Sequence, residues 1–273
     1  MKTKMQKVGR MLLVGLVLMT VGSMGLGAEQ SVPMHNLFIF EECVEPAQMD
    51  AFMKGRAEQT KLAAKHDFEF PVLRFVDNFK VVTCGVFEKF AAIDEFPAIL
   101  EEYVKKTGGR DKELDDLCAK CVRSASSSIA VYRPDLSYHA KNPAFTPDYS
   151  KPFFTVMVTY HVKPHKYDQA VEVAKKIKDL YEKRGASASY RIYERMCGED
   201  VPVFFGVMCA QDKAQFLEID KKDQERFGAE AERLFDANLD IVNAIESSEA
   251  MYVPEISYMP KQASGEGQEA MPW

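Results

Sequence analysis

Apolar and polar residues follow one another along the chain in patterns whose period changes at regular places. Residues 37–43 form a short apolar run that predicts a strand. Pro46 follows this run and predicts the start of a helix, because the first helical position needs no N–H donor. The apolar residues downstream of it share one helical face and are Met49, Phe52, Met53 and Ala57.

Two strands and two further helices follow this first pair of elements. Residues 70–77 and 80–88 predict strands joined by a turn at Asp77 and Asn78. The next helix is predicted to end at Gly108 and Gly109, since glycine is common just after a helix. A second helical face then carries Leu114, Leu117, Cys118, Cys121, Val122 and Ala125. Residues 128–132 predict the last strand of the set.

The same order of elements occurs twice. Residues 132–138 read Tyr-Arg-Pro-Asp-Leu-Ser-Tyr, and residues 252–258 read Tyr-Val-Pro-Glu-Ile-Ser-Tyr. Upstream, the strand around Arg74 resembles the strand around Arg191 at a slightly smaller offset. Ordered matches of this kind predict an internal repeat with small shifts at the loops. We predict unit 1 at 36–138, a linker at 139–152, unit 2 at 153–258 and a flexible tail at 259–273.

The order β-α-β-β-α-β is that of a ferredoxin-like unit. Its antiparallel sheet has helices on one face only, so the bare face must be covered. Two units in one chain can cover each other by pressing these bare faces together. The predicted fold class is therefore α+β, with two tandem ferredoxin-like βαββαβ units whose antiparallel sheets pack into one α/β barrel.

This element order and the repeat resemble the dimeric α/β-barrel (ferredoxin-like) superfamily in a tandem-repeat form. The resemblance covers nearly all of the chain after the N-terminal segment, and it does not include a catalytic motif. It implies a range of activities, from cofactor-free oxygenases to haem-degrading enzymes and small stress proteins. Because one fold supports many functions, the resemblance does not select among them.

The N-terminal segment has the composition of a signal peptide. Lys2, Lys4, Lys7 and Arg10 precede an apolar run, and small residues follow as far as Ala28. We predict that residues 1–28 are cleaved and that the protein is periplasmic or secreted, without stable membrane insertion; an uncleaved anchor is the alternative. Residues 1–28 carry four basic and no acidic side chains, so the rest of the chain has a net charge of −10. This charge argues against a nucleic-acid partner.

Cys118 and Cys121 form a C-x-x-C pair. This spacing occurs in redox pairs and in halves of metal sites. Both cysteines, however, lie on the apolar face of their predicted helix, and the chain has no second C-x-x-C. Core packing is the favoured interpretation, and no metal site is predicted.

Arg74 and Arg191 are charges within apolar strands, at places that the repeat comparison treats as equivalent. A guanidinium that faces the space between the sheets could hold a carboxylate or phosphate. The alternative is an arginine on an exposed face or beside an acid. Thr155 and Thr159 alternate with apolar residues and are expected to line the same space. These four residues are the predicted ligand-binding set.

His161 and Glu41 are the candidates for catalysis, as a general base or an iron ligand in that space. Haem is the cofactor that the resemblance implies for an iron site there. A haem-degrading site built on tryptophan and histidine has no support, because the single tryptophan is Trp273.

Three functions remain open at this point. The first is an exported protein that binds a small, partly apolar molecule between the two repeat units. The second is a barrel-superfamily enzyme, either a cofactor-free oxygenase or a haem protein. The third is a structural or partner-binding protein whose barrel is filled. A homo-oligomer is compatible with each of them.

Overall fold

The structure, a computed structural model, describes residues 36–87, 90–198 and 201–260. The predicted signal peptide, residues 1–28, and the predicted tail from residue 261 onward lie outside these ranges. Within the described ranges no helix is long and apolar enough to cross a bilayer.

The first half of the described chain forms a complete βαββαβ unit with a divided second helix. Gly109 separates the two parts of that helix with a φ of 82°, a left-handed conformation that glycine adopts without strain. The elements are β1 (Asn36–Val44), α1 (Met49–Lys65), β2 (Val72–Asp77), β3 (Lys80–Phe87), α2 (Phe90–Lys106), α3 (Arg110–Ala119) and β4 (Val122–Tyr132).

The second half repeats this order. A short 3-10 turn begins at Pro164 and leads into its first helix, as the turn at Pro46 does in unit 1. The elements are β5 (Phe153–Val162), α4 (Tyr167–Arg184), β6 (Arg191–Cys197), β7 (Val203–Ala210), α5 (Lys213–Phe227), α6 (Ala229–Leu239) and β8 (Val242–Tyr252). The predicted fold class is confirmed.

One predicted helix is too long. The sequence pattern extends its apolar face to Ala125, but α3 ends at Ala119 and β4 begins at Val122. Residues of β4 pair with β1 along its whole length, and this long-range pairing decides the conformation. Cys118 and Cys121 are buried, which agrees with core packing. All six cysteines are free thiols.

The strands close into one barrel in the order β1-β3-β2-β8-β5-β7-β6-β4. Two junctions join the units. Strand β2 pairs with β8, with Phe75 opposite Tyr252, and β4 pairs with β6, with Tyr132 opposite Tyr193. Each junction uses the edge strands that a single unit would leave open, and closure removes those edges.

Side chains fill the middle of the barrel. Leu37 and Leu73 are fully buried there. Phe153 stacks on Tyr252 with ring centroids 4.7 Å apart, and Tyr193 stacks on Phe205 at 5.3 Å. An eight-stranded barrel is just wide enough for side chains to fill it. The space between the units is therefore mainly a packed core.

The repeated seven-residue motif holds the units together. In unit 1 its last residue, Tyr138, exchanges two backbone hydrogen bonds with Tyr190 of unit 2, at 2.9 and 3.0 Å. In unit 2 its last residue, Tyr258, exchanges two with Val72 of unit 1, at 2.7 and 2.8 Å. Each unit thus ends in a segment that binds the other unit, and we call these two segments the clasps.

The backbone partners of the clasps show which residues of the two units are equivalent. Because Tyr138 and Tyr258 are equivalent, their partners Tyr190 and Val72 are equivalent too. Arg74 therefore takes the place of Ile192, and Arg191 takes the place of Leu73. The prediction that the two arginines are equivalent is wrong by one residue. A shift of one residue turns a side chain to the opposite face of a sheet.

Helices α1 and α3 approach closely because Gly55 has no side chain. A Cβ added at Gly55 would lie 2.5 Å from the sulfur of Cys118. This approach places Arg56, the next residue, within hydrogen-bond reach of Asp115 on α3.

We expect Gly55→Ala to lower the free energy of unfolding by about 1–3 kcal/mol, because the added methyl group overlaps the Cys118 sulfur. In a Cys118→Ala background the same change should be neutral or stabilising, since alanine favours a helix over glycine. Urea denaturation of the two single variants, the double variant and the parent protein measures this coupling. Equal effects in both backgrounds would show that the contact is unimportant.

Candidate functional site

A cavity of about 580 Å³ lies between the outer face of the unit 1 sheet and helices α1–α3. We call it the unit 1 cavity. Its volume falls within the range of sites for small molecules. Its aromatic lining residues are Phe38, Phe40, Phe68, Phe70, Phe87, Phe96, Tyr103 and Tyr258.

The loop between α1 and β2 contributes two rings to one wall of this cavity. Phe68 packs on Tyr103 with ring centroids 4.7 Å apart. Phe70 contacts Phe87 at 5.2 Å and Phe96 at 5.6 Å. These contacts connect the sheet, the loop and helix α2 into one apolar wall.

A buried ion pair also lines the cavity. Arg56 donates from Nη2 to Glu42 Oε1 at 2.6 Å, and from Nη1 to Asp115 Oδ1 at 2.8 Å. Nη1 also bonds to Gln59 Oε1 at 2.7 Å. Burial acts to lower the pKa of Arg56, but the carboxylates of Glu42 and Asp115 outweigh it, so the pKa is raised. The charge of Arg56 is compensated within the protein.

Arg74 is a buried cation of a different kind. The residue is 8% exposed, and its Nη1 donates to the carbonyl oxygen of Ile256. Within the described residues no carboxylate lies within 4 Å of its guanidinium. Burial, followed by the repulsion of Arg56, lowers the pKa of Arg74 to about 10. The guanidinium therefore stays charged at neutral pH without a paired acid.

Several buried polar atoms of the cavity have no hydrogen-bond partner among the described residues. They belong to residues that line the cavity, and most native buried polar atoms do have partners. The atoms are Glu42 Oε2, Arg56 Nε, Arg74 Nε, Thr83 Oγ1 and Tyr103 OH. The cavity thus combines apolar walls with unused donors and acceptors.

The corresponding region of unit 2 is apolar. In the structural alignment Glu42, Arg56, Gln59 and Arg74 correspond to Tyr160, Ala174, Ile177 and Ile192. These four residues surround a space of only about 40 Å³. The same fold can therefore be packed at these positions without charged groups, and the polar cluster of unit 1 is not a requirement of the fold.

The predicted ligand-binding residues do not meet at one site. Arg74 faces the helices of unit 1, on the outer side of the barrel. Arg191 faces the inside of the barrel near the linker. Thr155 lies in the filled interior, with its hydroxyl 3.8 Å from the sulfur of Cys209. The prediction of one shared cavity for the two arginines is wrong because they lie on opposite faces of the sheet.

Glu41, His161 and Thr159 do come together, at one end of the barrel. This polar mouth of about 530 Å³ is lined by hydroxyl groups of both units. Glu41 pairs with Lys80, and His161 Nε2 lies 3.6 Å from Glu246. The two predicted catalytic residues thus line the polar mouth and not the aromatic unit 1 cavity.

Sequence reasoning missed Glu42, Arg56 and Gln59. Arg56 and Gln59 lie on the same buried helix face as Phe52, but polar residues on a helix are expected to face solvent. The repeat contained a usable signal. An offset of 118 residues, which aligns Pro46 with Pro164, sets Arg56 and Gln59 opposite apolar residues of unit 2.

The unit 1 cavity does not fit haem. Among its described lining residues none is a histidine, cysteine or methionine that could bind the iron. Tyr103 has a phenol group there, but burial raises its pKa, which opposes the phenolate that iron would need. In the described part of the chain no cluster of histidine, cysteine and carboxylate side chains could hold a metal ion.

Comparison with known proteins gives similarity of structure only. No protein-family model matches the sequence, and no curated protein matches it. A monooxygenase-like protein from Lactobacillus acidophilus NCFM is 7% identical with a TM-score of 0.52, covering 83% of this chain and 97% of that one.

Two further solved structures are similar over most of their length. A monooxygenase-like protein from Fusobacterium nucleatum subsp. nucleatum is 10% identical with a TM-score of 0.51, covering 80% of this chain and 92% of that one. An anthrone oxidase-like protein is 10% identical with a TM-score of 0.51, covering 81% and 90%. Together with the closed barrel of β1–β8, these similarities show that the chain has the fold of the dimeric α/β-barrel superfamily, with both units in one chain.

Proposed function

We propose that the protein binds a small, partly apolar molecule with an acidic group in the unit 1 cavity. The observation that carries this proposal is Arg74, a buried cation without a paired acid in an aromatic-lined cavity. A charge that is removed from water is stabilised by a partner of opposite sign. A ligand carboxylate would supply that partner and would use the planar fork of the guanidinium.

The rest of the cavity supports a ligand with an apolar body. The rings of Phe68, Phe70 and Phe96 offer apolar surface, while Tyr103 and Thr83 offer hydroxyl groups. In a mainly apolar cavity, a small number of polar groups is enough to orient a bound ligand.

The place of binding differs from the one expected from the sequence. Between the two units, Leu37, Leu73 and Tyr193 fill the middle of the barrel interior. The polar mouth at its end offers little apolar surface, since Met157 is the one apolar side chain among its described lining residues. The ligand is instead proposed to lie between the sheet and the helices of unit 1. Export remains part of the proposal, supported by the basic and apolar pattern of residues 1–28.

A cofactor-free oxygenase is the second candidate, and one residue favours it. Asp111 lines the unit 1 cavity, and burial, followed by the repulsion of Asp115, raises its pKa. A carboxylate whose pKa is raised towards neutrality is a better general base. Asp111 would remove a proton from the bound molecule. The solved structures named as monooxygenase-like share the fold, and oxygen uptake on ligand addition would separate the enzyme from a binding protein.

Arg74→Ile introduces the residue that unit 2 has at this position, and we expect it to weaken binding of an apolar anion about tenfold or more. The reason is the loss of a charge-assisted contact, which contributes about 1.5–3 kcal/mol. The probe is 8-anilinonaphthalene-1-sulfonate, measured by fluorescence titration of the purified protein. Arg123→Ile, at an exposed position of β4, makes the same change of charge and should leave binding unaltered. Equal affinity in all three proteins would contradict the proposal.

The buried pair of Glu42 and Arg56 should be replaceable with little loss of stability. Arg56→Ala alone leaves Glu42 buried without its partner and should lower the free energy of unfolding by about 3–5 kcal/mol. Adding Glu42→Tyr reproduces the unit 2 pair Tyr160 and Ala174 and should restore most of that stability. Denaturation in urea measures both variants. A double variant as unstable as Arg56→Ala would show that the fold itself needs the ion pair.

A further inference from the structure

A second cavity, of about 310 Å³, lies where residues 139–152 cross the end of the barrel. We call it the linker cavity. Phe145 and Tyr149 of the linker cover it, and Val207, Phe216 and Ile219 of unit 2 form its apolar walls. The linker is fixed to unit 2 by a backbone hydrogen bond of 2.9 Å from Ala144 to Ser187.

Arg191 projects into the linker cavity at the start of β6. Its Nη1 is buried without a hydrogen-bond partner, and within the described residues no carboxylate lies within 4 Å of its guanidinium. Asp223, the buried acid nearby, already accepts hydrogen bonds from the amides of Ser187 and Ala188 and pairs with Arg226. The charge of Arg191 is thus left without an acid of its own.

His139 lies beside Arg191 and is held in place. Its Nε2 is 2.8 Å from the hydroxyl of Tyr132. Burial, then the positive charges of Arg191 and Lys178, lower the pKa of His139 to about 4. The imidazole is therefore neutral at pH 7 and offers a hydrogen-bonding group next to the cation.

The repeat shows that the barrel does not need an arginine at this position. Arg191 is equivalent to Leu73, which is fully buried in the barrel interior of unit 1. An apolar residue would satisfy the packing, and it would leave no charge to compensate.

We propose that the linker cavity is a second ligand site, which binds a small carboxylate through the guanidinium of Arg191 and the imidazole of His139. The guanidinium fork matches a carboxylate, and the apolar walls match a single ring or a short aliphatic chain. The volume is at the lower end of the range for small-molecule sites. This site is separate from the unit 1 cavity, because Arg74 and Arg191 lie on opposite faces of the sheet.

The test is a titration with 4-fluorobenzoate followed by ¹⁹F NMR, with 4-fluorobenzamide as the uncharged control. The proteins are the parent, Arg74→Ile, Arg191→Leu and the double variant. Arg74→Ile should retain one saturable site for the benzoate. Arg191→Leu in that background should weaken this site at least tenfold, and the benzamide should bind weakly to every protein.

Two further measurements separate a ligand contact from a structural role. Arg191→Lys keeps the charge without the planar fork and should give an intermediate affinity in the Arg74→Ile background. Arg191→Leu should also raise the pKa of His139, which NMR titration of its ring protons reports, since one of the two nearby positive charges is gone.

This design tests the two proposed sites independently of each other. If Arg74→Ile binds no benzoate, or binds it equally well after Arg191→Leu, the linker site is refuted and the unit 1 site is unaffected. If Arg191→Leu alone abolishes all binding, the linker site stands and the proposed role of Arg74 is lost.

Discussion

Closure of the barrel is the constraint on which the rest of the structure depends. A four-stranded ferredoxin-like sheet has two open edges and one bare face. The edges must find pairing partners, and the face must be covered. Pairing of β2 with β8 and of β4 with β6 satisfies the edges of both units at once. The two clasps extend these junctions, so that each unit supplies backbone partners to the other. Neither unit could bury its inner face without its neighbour.

Closure also decides where a ligand can bind. Because the inner faces of both sheets meet, their side chains must fill a narrow interior, and stacked pairs such as Phe153 on Tyr252 do so. The linker cavity and the polar mouth lie at the ends of the barrel, and the unit 1 cavity lies on the outer face beneath the helices. The candidate sites lie in these places.

Duplication lets the two copies differ. Unit 2 packs the region beneath its helices with Tyr160, Ile177 and Ile192, so this copy can supply stability. Unit 1 has a cavity and buried charges at the same positions. These charges reduce apolar packing but supply groups that can bind a ligand. At the inner face the roles reverse, because Arg191 of unit 2 stands where unit 1 has Leu73. Comparison of equivalent positions within one chain therefore separates what the fold requires from what it merely tolerates.

The sequence by itself determined the order of elements, the repeat and the barrel, because alternation and helical spacing reflect which faces must be buried. It also identified Arg74 and Arg191 as unusual, since charges are rare within apolar strands. Only the tertiary structure decided which face each arginine occupies, because strand register is set by partners far away in the chain and one residue of shift reverses the face. Likewise, Glu42 and Arg56 are ordinary polar residues in sequence. They become a buried pair only when β1 and α1 pack together.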